Sequence, residues 1–454
     1  MKKSIILLSA LFICASSLFA QETERKSLNV TIYHDDLGVI RDLRTLDLKK
    51  GASEVKITDV ANQIDMTSVH IKLDGSVIEQ NFQYDLVSFL KVLQKYIDKE
   101  IDLIGENNCI SGTLLSATAN QIVIRKKDGG LLMLPKIDSY QISVGSLPEG
   151  LITKPTLVWQ LVSNKDGKQD VEISYQTGGM SWSAEYVAVL DEKDTKIDLN
   201  SWVSLTNNSG TSYPDANLKL VAGEVNRIHD LRNIAREGIQ SLKGLAAGAY
   251  DSEPQFAERE FFDYHIYDLQ RQTTLANNET KQISLFEASD IKIKKKYRYI
   301  SNGSVTNGKA DVIIEFENKK DNNLGMPLPA GKVRVYKKDA KSLEFVGEDM
   351  IDHTPKDEKL KIKMGQAFDI VIEESEIESR RVVNNTWDKT YKVTLKNRKN
   401  EDINIEVQRS IMGGAEILES SIEYKKKDSR NILFNVPIKA GQEVEFTYSV
   451  RVGY

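Results

Sequence analysis

Most of the chain alternates apolar and polar residues with a period of two. The first runs, such as Leu28–Tyr33 and Val69–Leu73, are separated by glycine-containing turns, which is typical of antiparallel strands with one buried face. We therefore predict a small N-terminal β domain over residues 21–84. Longer alternating runs fill residues 148–454 and predict antiparallel β-sandwiches, so the predicted fold class is all-β. The clearest of these runs are Leu157–Val162, Asp170–Tyr175, Glu185–Leu190, Trp202–Thr206, Asp311–Glu317, Lys332–Tyr336, Lys389–Leu395, Ile403–Gln408 and Val444–Val452.

The segment between these two regions has a different periodicity. Spacings of three and four between apolar residues, after Asp85 as N-cap, predict an amphipathic helix over residues 85–100. Short apolar runs separated by turns over residues 101–147 predict a small closed barrel of about five strands, similar to an SH3-like or Sm-like barrel. It carries neither a basic stripe nor exposed aromatic residues for RNA, so we expect a structural role. The apolar residues of the helix pattern are Leu86, Leu90, Leu93, Ile97 and Ile101.

Residues 227–258 interrupt the β pattern. This stretch contains helix-forming residues followed by several glycines and alanines and a Ser-Glu-Pro sequence, with few large apolar residues. A segment of this composition has too little apolar surface to form a core of its own. We predict a mobile insertion that has room for one short helix at residues 230–242.

The N terminus has the layout of a secretory signal peptide. Two lysines precede the apolar run Ile5–Phe12, and small residues lead to Ala20, so we predict a signal peptide over residues 1–20 with cleavage after Ala20. The apolar run is shorter than the roughly 20 residues that span a bilayer. Lipidation at Cys14 is the less favoured alternative, because Ile13 is bulky where a lipidation signal has a small residue. We expect an exported protein of the periplasm or cell surface.

Charge and cysteine content restrict the possible partners and chemistry. The formal net charge is −5, from 61 basic and 66 acidic residues, and this mild, interspersed charge predicts no binding of nucleic acid or anionic lipid. Removal of the signal peptide leaves Cys109 as the single cysteine, so no internal disulfide can form. Its position at the start of a predicted strand indicates an inert, buried thiol.

Four separated phrases stand out in the C-terminal region. They are Gly179–Val187, Asn200–Gly210 with Leu218–Asn226, Asn323–Tyr336, and Val346–Pro355 with Gly365–Asp369. Together these phrases resemble the DUF4139 family, a bacterial domain of unknown function whose members are often exported. The resemblance covers about residues 150–454 and also includes the helix and small barrel. Some relatives are labelled mucoidy inhibitors, which implies a link to surface polysaccharide. Many relatives carry a long coiled coil where this chain has one modest helix.

Most catalytic signatures are absent from the sequence. It has no Gly-Lys-Ser/Thr phosphate loop, no His-Glu-x-x-His zinc motif and no Cys-x-x-Cys pair, and we predict neither a metal site nor a cofactor. The nearest approach to a nucleophile elbow surrounds Ser181, but the second glycine is missing and the motif lies among strands. We interpret Ser181 as a turn residue beside a core Trp182.

His353 is the strongest candidate for a catalytic residue. It follows Asp349 and Asp352 within five residues, and nearby anions favour the charged form of an imidazole, which could act as acid, base or ligand. The same carboxylates could in principle hydrolyse a glycoside, if they faced each other across a cleft. The structural alternative, which we prefer, is a turn in which Asp352 caps the backbone and His353 hydrogen-bonds a neighbouring strand.

The expected function is therefore binding or scaffolding rather than catalysis. We expect an envelope protein or a polysaccharide as partner, or a homo-oligomer formed through exposed strand edges. Four tryptophans could form sugar-stacking platforms, but Trp182 and Trp202 fall in alternating strands, where core packing is the default. The alternative function is a hydrolase of envelope glycan or peptide centred on His353. The tryptophans are Trp159, Trp182, Trp202 and Trp387.

Overall fold

The described part of the chain is built almost entirely of β-strands. Its one α-helix is short, and the predicted all-β class is confirmed. The predicted signal peptide and residues 227–254 of the predicted insertion lie outside the described residues. The computed structural model describes residues 24–84, 89–105, 108–118, 121–134, 140–145, 154–223, 225–226, 255–301, 303, 305–339, 342–383, 385–411 and 416–453.

The elements follow one another with short connections. The N-terminal part contains β1 (Glu24–Tyr33), β2 (Leu37–Leu48), β3 (Gly51–Ile57), β4 (Ile64–Lys72) and β5 (Gly75–Gln83). The middle part contains α1 (Phe89–Lys95), β6 (Glu100–Ile104), β7 (Cys109–Ala117), β8 (Ile122–Lys126), β9 (Leu131–Leu134) and β10 (Gln141–Ser143). The C-terminal region begins with β11 (Thr156–Ser163), β12 (Gly167–Thr177), β13 (Met180–Leu190), β14 (Lys196–Asn207), β15 (Tyr213–Ala222), β16 (Phe256–Phe261), β17 (Tyr264–Leu269), β18 (Thr273–Leu275) and β19 (Glu279–Lys292).

The remaining strands complete the C-terminal region, with a 3-10 turn at Lys320–Asn322 after β22. Every strand predicted in this region from period-two alternation is present. These last strands are β20 (Lys294–Ser301), β21 (Val305–Gly308), β22 (Asp311–Glu317), β23 (Gly331–Lys338), β24 (Leu343–Ile351), β25 (Lys359–Gln366), β26 (Ile370–Val383), β27 (Thr386–Asn397), β28 (Ile403–Ser410), β29 (Glu416–Ser420), β30 (Tyr424–Lys426), β31 (Asn431–Ile438) and β32 (Glu443–Gly453).

The N-terminal strands share one sheet with strands of the C-terminal region. An eight-stranded sheet has the order β16-β17-β15-β1-β2-β12-β4, with β18 paired to β15. β1 runs parallel to β15, from Asn29 opposite Asn217 to Tyr33 opposite Val221. The predicted boundary at residue 84 therefore does not separate two sheets. One edge of β1 pairs with β2, but the other edge obtains its partner β15 only when the two parts of the chain come together.

Four of the sheets form two sandwiches, and strand β22 contributes residues to both cores. The first packs the eight-stranded sheet against the sheet β19-β14-β13-β23-β24, with alternate residues of β13 buried between them. The second packs the sheet β25-β22-β20-β28-β31-β30 against β21-β26-β27-β32-β29. On β22, Ile314 and Phe316 belong to the first core, while Val312 packs against the second. The sandwiches were predicted as antiparallel, but β1/β15, β13/β23 and β20/β28 are parallel pairs.

The segment between the first strands and the C-terminal region departs from its prediction in three ways. The helix ends at Lys95 rather than at residue 100, because Asp98 adopts a left-handed conformation (φ 66°) and its N–H bonds to the Leu114 carbonyl. The predicted closed barrel is an open sheet in the described residues, with order β10-β6-β7-β8-β9 and very short strands at both ends. Cys109, predicted to be buried, is exposed.

Three asparagines close loops at strand ends in the same way. Each is at most 3 % exposed and follows an apolar-x-apolar-x sequence, as in Val393-Thr394-Leu395-Lys396 before Asn397. The Asn397 amide donates to the carbonyls of Glu401 (2.8 Å), Ile438 (3.4 Å) and Lys439 (3.1 Å), and its oxygen accepts the Lys399 N–H (3.0 Å). Asn207 and Asn318 bond their own loops in the same manner.

Candidate functional site

His353 is hydrogen-bonded to the residue that precedes β23. It follows β24, and its Nδ1 accepts the backbone N–H of Ala330, which precedes β23, at 3.0 Å. Its ring meets the His34 ring edge to face with 5.7 Å between centroids, and His34 in turn contacts Trp182 at 5.9 Å. The imidazole therefore packs at the junction of β23, β24 and the turn after β1.

The two candidate carboxylates do not form a metal-binding group with His353. Asp349 Oδ1 accepts the N–H of Met350 at 2.9 Å, and Oδ2 accepts the N–H of Lys363 at 2.6 Å, so this side chain ties β24 to β25. Asp352 is exposed, and its backbone carbonyl accepts the hydroxyl of Thr354. Within the described residues, no three His, Cys, Asp or Glu side chains converge as a metal site.

The tryptophans are divided between core and surface. Trp159 and Trp182 are buried, and their indole N–H groups donate to Gln80 Oε1 (2.9 Å) and to the Val221 carbonyl (3.2 Å). The core position predicted for Trp182 is confirmed. The core position predicted for Trp202 is wrong, because the register of β14 buries its neighbours on the opposite face and leaves Trp202 half-buried on the outer face.

A cleft of about 230 Å³ opens where the two sandwiches meet. Its walls combine residues from strands of both sandwiches, and most of them are apolar. Ligand sites in proteins commonly lie at such junctions, with apolar walls and a few convergent polar groups. The lining residues are Leu190, Asp194, Ile293, Lys295, Val312, Ile314, Lys337, Val346, Met364, Gly365 and Gln366.

Asp194 holds two lysines at the edge of this cleft. It lies in the turn between β13 and β14 with φ 55°, and its carboxylate accepts Lys295 Nζ at 2.7 Å and Lys337 Nζ at 2.5 Å. Burial raises the pKa of Asp194, but the two lysine hydrogen bonds outweigh it and the pKa lies below its ordinary value. Because Lys295 is on β20 and Lys337 on β23, the carboxylate links the two sandwiches.

Asp194→Asn should therefore remove an acid-sensitive part of the stability. A lowered carboxyl pKa stabilises the fold above the unfolded pKa of about 3.8, and this contribution is lost as the pH falls through the folded pKa. We expect Asp194→Asn to lower the free energy of unfolding by about 1 kcal/mol at pH 7 and much less at pH 3. Urea titrations at both pH values check this. Asp263→Asn, on an exposed hairpin turn, is the control, and equal losses for Asp194→Asn at both pH values would contradict the assignment.

A second polar group lies inside the core of the second sandwich. Glu374 is 2 % exposed and accepts hydrogen bonds from Tyr448 (3.0 Å), Tyr299 (2.9 Å), the Gly303 N–H (3.3 Å) and the Ser301 hydroxyl. Burial, followed by the neighbouring carboxylate, raises the pKa of both tyrosines above its ordinary value. All four acceptor directions of the carboxylate are used, which is the arrangement of a structural network.

Arg409 completes this network. Its guanidinium donates to the Ser301 hydroxyl at 3.3 Å and lies over the Tyr391 ring at 4.6 Å. The positive charge faces the carboxylate of Glu374 through Ser301, and it lowers the pKa of Tyr448 against the larger effect of burial. The buried carboxylate is thus linked through Ser301 to a partly buried cation.

Comparison with known proteins assigns the family. A search of curated proteins gives no match, and within the described residues no helix is long and apolar enough to cross a membrane. Residues 171–454, more than half of the chain, match the model of a family described as a domain of unknown function, DUF4139. This range includes the junction cleft, the Asp194 group and the Glu374 network. The chain belongs to the DUF4139 family.

Proposed function

We propose that this chain is a non-enzymatic binding or scaffolding protein of the bacterial envelope, exported to the periplasm or cell surface after cleavage near Ala20. The partner is an envelope protein or a polysaccharide. The signal-like start of the sequence supports export. The cleft between the sandwiches supports binding, and it is the observation that carries the proposal.

The composition of the cleft favours binding over catalysis. Among the described residues, its lining includes no histidine, cysteine, serine or threonine, so these residues offer no hydroxyl or thiol nucleophile with a histidine base. The candidate catalytic groups are engaged elsewhere: Asp349 accepts two backbone N–H groups, and Nδ1 of His353 accepts the N–H of Ala330. Apolar walls with a few paired charges suit the recognition of a partner.

Affinity capture from an envelope extract tests this proposal. The mature protein should retain a defined component, identified by mass spectrometry or sugar analysis. Val346→Trp fills the cleft with a bulkier side chain and should abolish retention, whereas Val383→Trp, at an exposed site on β26, should not. Equal retention by both variants would assign binding to another surface, and consumption of envelope material without retention would favour an enzyme.

The alternative is a hydrolase of envelope glycan or peptide centred on His353 with Asp349 and Asp352. The closeness of these groups in sequence is its support. If His353 is structural, we expect His353→Asn to lower the free energy of unfolding by about 1 kcal/mol, the cost of one hydrogen bond, and to leave partner retention unchanged. Urea titration and the capture assay measure both. Loss of product release from envelope glycan, with unchanged stability, would instead support the hydrolase.

A further inference from the structure

We propose that the junction cleft binds a small apolar carboxylate, with its carboxylate at Lys295 and Lys337 and its aliphatic or aromatic part against the cleft walls. This inference rests on the proposed binding function and names its ligand class. The ligand is either free or the apolar, carboxylate-bearing end of a larger envelope molecule.

The charges that line the cleft leave one positive charge in excess. Lys295 and Lys337 share the single carboxylate of Asp194, so the formal charges of these three side chains add up to +1. A singly charged carboxylate balances this sum, whereas a doubly charged phosphate exceeds it. Lysine donates three hydrogen bonds, so both ammonium groups retain donors for a ligand while they bond to Asp194.

Two acids lie near the cleft but outside its lining. Glu401 pairs with Lys399 at 2.8 Å, so these two charges cancel each other. Asp191 accepts the backbone N–H groups of Thr195 (2.7 Å) and Lys196 (3.0 Å) within its own turn, and its negative charge also acts on Lys337. The excess positive charge therefore belongs to the residues that line the cleft, and Asp191 reduces it from outside the lining.

The walls and volume select a small apolar group. Leu190, Ile293 and Ile314 are each less than a tenth exposed, and they offer hydrocarbon surface rather than the hydrogen-bonding groups that a neutral sugar requires. About 230 Å³ is less than the roughly 300–1,000 Å³ of sites for drug-sized ligands, so one short chain or one ring fits. Val346 is 37 % exposed, which leaves the cleft open to solvent.

Calorimetric titration of the purified mature protein with sodium octanoate tests the inference at low ionic strength and pH 7. We expect saturable one-to-one binding. Each methylene removed from the chain should weaken binding about fourfold, so butanoate should show no measurable heat. Octan-1-ol, which keeps the chain but lacks the charge, should bind roughly tenfold more weakly than octanoate.

Lys337→Gln distinguishes a charge-selective cleft from a general apolar site. This variant keeps the Lys295–Asp194 pair and removes the excess charge, so octanoate affinity should fall roughly tenfold while octanol affinity stays unchanged. Lys392→Gln is the matched control. Lys392 forms an exposed ion pair with Glu445 (2.8 Å), and neither residue lines the cleft. Equal octanoate affinities in Lys337→Gln and Lys392→Gln would overturn the inference.

The outcome separates the ligand class from the proposed function. If octanoate fails to bind the native protein but Val346→Trp still abolishes capture of an envelope component, the carboxylate inference is overturned and the binding function stands. If octanoate binds with the expected dependence on Lys337 but no envelope component is captured, the ligand class is supported and the proposed macromolecular partner is not.

Discussion

Replacing Glu374 with alanine should lower the free energy of unfolding by about 3–5 kcal/mol, because several buried donors lose their acceptor at once. The substitution leaves the hydroxyls of Tyr299, Tyr448 and Ser301 and the N–H of Gly303 without their acceptor inside the core. Each unsatisfied buried group costs about 1–3 kcal/mol, although relaxation of the core reduces the sum. Urea titration followed by tryptophan fluorescence measures the loss.

Two further variants make this result specific to the network. Glu374→Gln keeps the shape and one acceptor oxygen but places an amide donor against existing donors, so we expect an intermediate loss. Glu419→Ala removes a carboxylate from the exposed strand β29 and should change stability by less than about 0.5 kcal/mol. If Glu374→Ala is no more destabilised than Glu419→Ala, the carboxylate does not organise this core.

Replacing Asn397 with alanine should cost about 3 kcal/mol, although the residue carries no charge and lies at a strand end. Its side chain satisfies the carbonyls of Glu401, Ile438 and Lys439 and the N–H of Lys399. Alanine leaves these four backbone groups without their hydrogen-bond partner at a site with no solvent exposure. Each buried backbone group without a partner lowers the stability of the folded state. Chemical denaturation again measures the change.

The control is an asparagine on the surface of the next strand. Asn404 on β28 is exposed, and Asn404→Ala should be nearly neutral. Asn207→Ala should resemble Asn397→Ala, because Asn207 bonds three carbonyls in the same way. A loss below about 1 kcal/mol for both Asn207→Ala and Asn397→Ala would show that water replaces the side chain in these loops.

The alternation of apolar and polar residues predicts the strands of this protein well. It also contains signals for two kinds of buried polar residue. Period two places Glu374 on the same face as Ile370 and Ile372, so a buried carboxylate could have been predicted from β26 alone. The recurring apolar-x-apolar-x-Asn sequence could have identified Asn318 and its two equivalents. The helix was predicted too long because Ile101 matches a helical spacing but enters β6 after the left-handed Asp98.

The cleft could not be predicted from sequence because its polar residues are far apart along the chain. Asp194 lies 101 residues from Lys295 and 143 from Lys337, and each of them alone resembles a solvated surface charge. Only the packing of the two sandwiches brings them together. Trp202 shows the same limit on one strand, because alternation reveals that two faces differ but not which face meets another sheet.

The position of β1 between β2 and β15 determines the order in which the protein can assemble. A chain that emerges with its N terminus first presents β1 long before residue 217, so the edge of β1 that pairs with β15 stays open in the meantime. Pairing across such a separation in sequence is slow, and an open strand edge invites aggregation. The first sandwich therefore cannot be complete until β15 has been synthesised, and this delay would suit the export that we propose for the chain.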